Sequence, residues 1–91
     1  MNVMELTIAG NYKEIAKASW NAEELDQRDE DGLTALMHAA GRGDYRTIDA
    51  LKKAGADLDI RDNSGLKAVD HAARNGHSSA IIYLIEGGCG G

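Results

Sequence analysis

The stretch DEDGLTALMHAAGRGD, residues 29–44, returns in outline as DNSGLKAVDHAARNGH, residues 62–77. The offset is 33 residues, and it extends beyond the quoted segments. Arg28-Asp29 matches Arg61-Asp62, and Gly32-Leu33 matches Gly65-Leu66. His38-Ala39-Ala40 matches His71-Ala72-Ala73, while Gly43, Ile48 and Leu51 match Gly76, Ile81 and Leu84. One more step back uncovers a degenerate copy, in which Gly10, Ile15, Ala18 and Leu25 align with Gly43, Ile48, Leu51 and Leu58. A fixed period of this length marks a stacked array: one unit is too small to bury its own apolar face and needs its neighbours. The chain therefore reads as one headless copy, one full copy and one tailless copy.

Each copy reads as two short helices and a turn. Leu36, Ala39 and Ala40 lie three and four apart, on one face of a helix. The paired alanines let a neighbouring backbone come close, and Thr34 is a good cap for the start of that helix. Gly43, free to take positive φ, ends it. A second helix presents Ile48 and Leu51 on one face and stops at Gly55. ADLDIRDNSGL, residues 56–66, is an extended stretch with a turn around Asn63-Ser64-Gly65.

This pattern resembles the ankyrin repeat. The residues that carry the resemblance are Gly32, Thr34, Leu36, Ala39, Ala40, Gly43, Ile48, Leu51, the run Gly55-Ala56-Asp57-Leu58-Asp59, Asp62 and Gly65. It covers the chain from about Met4 to Gly88. The fold it implies is all-α: an ankyrin-repeat solenoid of two to three helix-turn-helix units joined by β-turn hairpin loops. The expected organisation is a single domain over 1–88, with a partial repeat at 1–30, a full repeat at 31–63, a C-terminal repeat at 64–88 and a flexible tail at 89–91. The sequence also departs from the family's Thr-Pro-Leu-His helix start. Ala35 and Ala68 stand at the Pro position, and Met37 and Asp70 at the His position. Lys67, where the family has Thr, cannot cap. An ion pair between Lys67 and Asp70, three apart, is expected to replace the family's Thr–His bond.

Composition agrees with a small packed domain. Of 91 residues, 43% are hydrophobic, with four aromatics of Trp and Tyr type and no Phe or Pro, so packing rests on Leu, Ile and Ala. The single cysteine, Cys89, excludes an intramolecular disulfide and fits a reducing compartment. With Glu5 near the start and no apolar run of about 20 residues, neither a signal peptide nor a membrane span is read, and the expected location is cytoplasmic. The net charge is −5, all of it in residues 1–33, mostly within EELDQRDED at 23–31. Such a field repels nucleic acid and favours a basic partner; a solvated acidic loop that keeps the chain soluble is the alternative.

No constellation for chemistry emerges, so the chain is read as no enzyme, with no cofactor and no metal site. Asp70 and His71 are neighbours on a helix and point apart, so they do not form an acid–base pair. His38 and His71 hold equivalent places in successive repeats, roughly 8–10 Å apart, too far to share one metal. His77 beside Gly76 resembles the family's Gly-His turn and is expected to bond within a loop. Cys89, in GGCGG, reads either as a reactive thiol or as part of a disordered tail. A stack of this kind is not expected to contain a pocket.

The resemblance instead implies protein binding along a concave face built from turn tips and the exposed sides of first helices. On this chain it selects Glu30, Asp31, Leu33 and Arg42 from one repeat, and Asn63, Ser64, Leu66, Arg74 and Asn75 from the next. Leu33 and Leu66 are either an exposed contact pair or packing for their own hairpins. The implied partner is another protein with a basic patch, which an inhibitor or immunity-type protein would mask; neither nucleic acid nor a membrane is implied. In the final helix, Ile81, Leu84 and Ile85 fit a buried stripe, whereas Ile82 and Tyr83 add apolar surface that a homodimer could cover. Trp20 either plugs the edge of the shortened first repeat or anchors a partner.

Overall fold

The computed structural model describes residues 2–86. Among these, seven helices and no strand are found. They are α1 (Val3–Ala9), α2 (Tyr12–Lys17), α3 (Ala22–Leu25), α4 (Ala35–Arg42), α5 (Tyr45–Ala54), α6 (Ala68–Arg74) and α7 (Ser78–Glu86). The first helices α1, α4 and α6 pack side by side in one layer. The second helices α2, α5 and α7 form the layer behind, and each unit's two helices pack on each other. Cys89, the tail at 89–91 and the end of the expected domain at Gly88 lie outside the described residues.

The core follows the 33-residue pattern. Ile15, Ile48 and Leu51 are fully buried in the second-helix layer, and Leu84 is 5% exposed. Leu36, Ala39, Ala40 and Ala72 are buried in the first-helix layer. The alanines allow those backbones to approach closely. Thr34 caps α4 as expected, its hydroxyl accepting from the Met37 N–H at 3.3 Å. Met37 Sδ, in turn, accepts from the Thr34 N–H at 3.5 Å, so a thioether occupies the reciprocal place of a capping box. Gly43 and Gly55 close α4 and α5 with φ of 71° and 107°.

The expected Lys67–Asp70 ion pair does not form. Asp70 Oδ2 accepts from the Lys67 backbone N–H at 3.0 Å, while Lys67 Nζ reaches back to Asp59 Oδ1 at 3.5 Å. Lys67 has extended backbone at the helix start, φ −90° and ψ 170°, and an ammonium offers no acceptor to the helix N–H groups. Ile85 is also not part of a buried stripe: it is 67% exposed. The stripe of α7 is narrower than its apolar sequence, because its main neighbours among the described residues are α5 and α6. Tyr83 is half-buried, stacked on Tyr45 with centroids 5.2 Å apart.

The first repeat departs from the others. Helix α2 stops at Lys17, whereas α5 continues through the equivalent places to Ala54. In a continuing helix the Ile15 carbonyl would accept the Ser19 N–H. Here it accepts the Trp20 indole N–H at 2.9 Å. The half-buried indole folds against the core where the next helical turn would lie, which supports the plug reading of Trp20. The acidic segment, read as a loop, contains the single turn α3, held by a reciprocal capping box between Asn21 and Glu24.

Candidate functional site

Two hairpin tips and the helices that follow them form the candidate surface. Each tip is fastened by one aspartate. Asp29 Oδ1 accepts the N–H groups of Asp31 and Leu33, both at 2.9 Å, and Oδ2 meets His38 Nε2 at 2.8 Å. Asp62 repeats this with Ser64 at 2.8 Å, Leu66 at 2.9 Å and His71 Nε2 at 2.8 Å. A carboxylate only accepts, so each imidazole donates through Nε2. At Asp29, partial burial works against the charged form, but the Leu33 N–H, the His38 ring and the Asp31 N–H outweigh it and hold the carboxyl below its ordinary value. At Asp62 the Leu66 N–H is the largest influence; it prevails over desolvation with help from His71 and Ser64, and this pKa is lowered too. The histidines are therefore structural, and their partners lie nine residues upstream rather than at Asp70.

The tips also bond to each other. Asn63 donates its backbone N–H to the Asp31 carbonyl at 3.2 Å and its Nδ2 to the Glu30 carbonyl at 3.3 Å. This close approach needs Gly32: a Cβ there would lie 2.5 Å from Asn63 Oδ1. Arg42 Nη1 donates to the carbonyls of Thr7 and Ile8, at 2.9 and 2.7 Å, which satisfies the open C-terminal end of α1. His77 Nε2 likewise bonds the Gly41 carbonyl of the preceding repeat at 3.1 Å. Three contacts between successive units therefore come from residues the sequence marked as turn or surface.

The nine residues selected for protein binding divide into three groups. Arg42, Asn63 and Asn75 have internal work; Asn75 Nδ2 donates to the His71 carbonyl at 2.9 Å. Glu30, Asp31, Ser64 and Arg74 are exposed, and their side chains have no hydrogen bond or ion pair with the described residues. Leu33 and Leu66 are half-buried, and Leu33 packs against the core. Sequence reasoning missed Ile8, which is 56% exposed on α1. It shares the repeat position of Gly41 and Arg74, an outward place, so an isoleucine there is a signal the 33-residue register could have given. Of the self-association pair, Ile82 is 49% exposed, whereas Tyr83 is engaged with Tyr45.

The expectation of no pocket is overturned. An open hollow of about 450 Å³ lies on the opposite layer, between the shortened α2 and α5, lined by Tyr12, Ile15, Trp20, Arg46, Asp49 and Lys53 among others. No group of three or more metal-binding side chains occurs among the described residues, and no described helix is long and apolar enough to cross a membrane.

A family model described as ankyrin repeats, in three copies, matches residues 3–90. The chain belongs to the ankyrin repeat family. No curated protein matches it. Among solved structures, the human ASB11 ankyrin repeat domain is similar over 94% of this chain and 39% of its own length, with a TM-score of 0.78 at 18% identity. The ankyrin repeat protein EF0377 is similar over 94% of this chain and 46% of its own length, with a TM-score of 0.75 at 26% identity. The chain thus spans less than half the length of each. The family generally mediates protein–protein interaction and typically works without catalysis.

Proposed function

We propose that the chain is a non-enzymatic binding module whose hairpin tips and first helices hold a partner protein bearing a basic patch. The carrying observation is the first tip: Glu30 and Asp31 stand exposed and unpaired on a turn held rigid by Asp29 and His38. A preformed, charged tip costs little ordering on binding and steers an oppositely charged partner. The half-buried Leu33 and Leu66 supply apolar surface next to the turns. Acting by occupation of a surface, the module would work as an inhibitor or immunity-type protein in the cytoplasm. Reversing Glu30 and Asp31 to Lys tests this. Association should slow about tenfold and lose most of its salt dependence, with dissociation little changed. An unchanged on-rate and salt slope would remove the basic partner from the account.

A second reading rests on Ile82 and Ile85, 49% and 67% exposed on α7. It is self-association through that helix. Ile82→Glu separates the two readings: it should dissolve a dimer seen by light scattering yet leave the hairpin-face complex intact.

A further inference from the structure

We propose that the hollow between α2 and α5 is a binding site for a small organic carboxylate with an aromatic or branched aliphatic body. The site lies on the second-helix layer, away from the hairpin tips, and is independent of the protein-binding reading. It exists because α2 ends at Lys17 and leaves the flank of α5 uncovered. Its volume of about 450 Å³ suits a small ligand, for which pockets of roughly 300–1,000 Å³ are usual.

The floor is apolar: Ile15 is fully buried and Ala50 only 6% exposed. Trp20 and Tyr12 supply aromatic surface. The indole is held in place by its bond to the Ile15 carbonyl, so that wall is formed before any ligand arrives. Arg46 supplies the charge. Its guanidinium lies 5.8 Å from the Tyr12 ring centroid and 5.9 Å from that of Tyr45, and Nη1 donates to the Tyr12 hydroxyl at 3.2 Å. No carboxylate pairs with Arg46 among the described residues; Asp49, one turn on, is engaged by Lys53 at 3.1 Å. An apolar floor beside a positioned guanidinium that no carboxylate pairs among the described residues favours an apolar body that ends in an anion. Asp49 and Lys53 also line the hollow; they pair with each other at 3.1 Å, so their charges offset and the net positive charge of the lining is that of Arg46.

The test uses phenylacetate and its uncharged isostere phenylacetamide as probes, titrated into the isotopically labelled protein. The Trp20 indole N–H and the Ala50 amide are followed by NMR. Phenylacetate should give saturable shifts at both positions, with affinity about fivefold above that of the amide. Arg46→Gln, at an exposed site, should abolish this preference without changing the melting temperature. Ala54→Leu, which fills the hollow, should remove binding of both probes. No saturable shift with either probe, equal affinity for the two, or a preference that persists in Arg46→Gln would each overturn the proposal.

Discussion

Gly43 and Gly76 occupy the same place in successive repeats, with φ of 71° and 72°, but only one of them is covered. A Cβ on Gly43 would lie 2.5 Å from His77 Nδ1 and 2.7 Å from Cγ, whereas a Cβ on Gly76 would meet nothing within 4 Å. Alanine at either site pays the left-handed backbone penalty, about 1–2 kcal/mol. At Gly43 it must also displace the His77 ring and break its 3.1 Å bond to the Gly41 carbonyl. That adds about 1 kcal/mol for the bond and a further ~1 kcal/mol for overpacking. Gly43→Ala should therefore cost ~3–4 kcal/mol against ~1–2 for Gly76→Ala. Urea unfolding followed by circular dichroism measures both. In a His77→Ala background the cost of Gly43→Ala should fall to that of Gly76→Ala, because the clash is then gone. Equal costs in the parent protein, or a gap that survives the removal of His77, would show that the His77 ring does not set the difference.

Three further outcomes are expected. Thr7 is fully buried and its Oγ1 has no hydrogen-bond partner, so Thr7→Val should raise stability by about 1 kcal/mol, read as a melting-temperature rise of about 4–8 °C. Lys67→Thr should supply the cap that α6 lacks and add about 0.5–1 kcal/mol, in excess of the exposed Lys67–Asp59 contact it gives up. Asp29 and Asp62 have lowered pKa values in the folded state. Their stabilising contribution is complete above the unfolded carboxyl value, about 3.9, and is lost as pH falls below it. Acid unfolding should thus begin below about pH 4, and Asp29→Asn and Asp62→Asn should each flatten its slope.

The elements with a strict 33-residue match were legible because their chemistry was repeated twice. Leu36, the Ala39-Ala40 pair, Ile48 and Leu51 are all buried where their spacing placed them. Features that depend on a single long-range contact were not legible. Nothing in Ala16-Lys17-Ala18-Ser19 breaks a helix, since alanine is the best helix former; α2 ends where the Trp20 indole takes the Ile15 carbonyl. The hollow follows from that event. The width of the buried stripe on α7 was likewise set by which neighbours cover it, so Ile85 faces outward. For the candidate surface, the sequence located both tips but not the roles within them. The recurring nine-residue separation of Asp29 from His38, and of Asp62 from His71, was the available signal for the clamps. Arg42 could not be seen as an internal ligand, because its partners are backbone carbonyls of a repeat with little sequence likeness to its own.

In the proposed function, a partner protein meets the hairpin tips. A photo-reactive amino acid placed singly at Asp31, Ser64 or Ile82 in the living source cell tests it most directly. One basic protein should cross-link from positions 31 and 64 and not from 82. Cross-links from position 82 alone, or from none of the three, would contradict it.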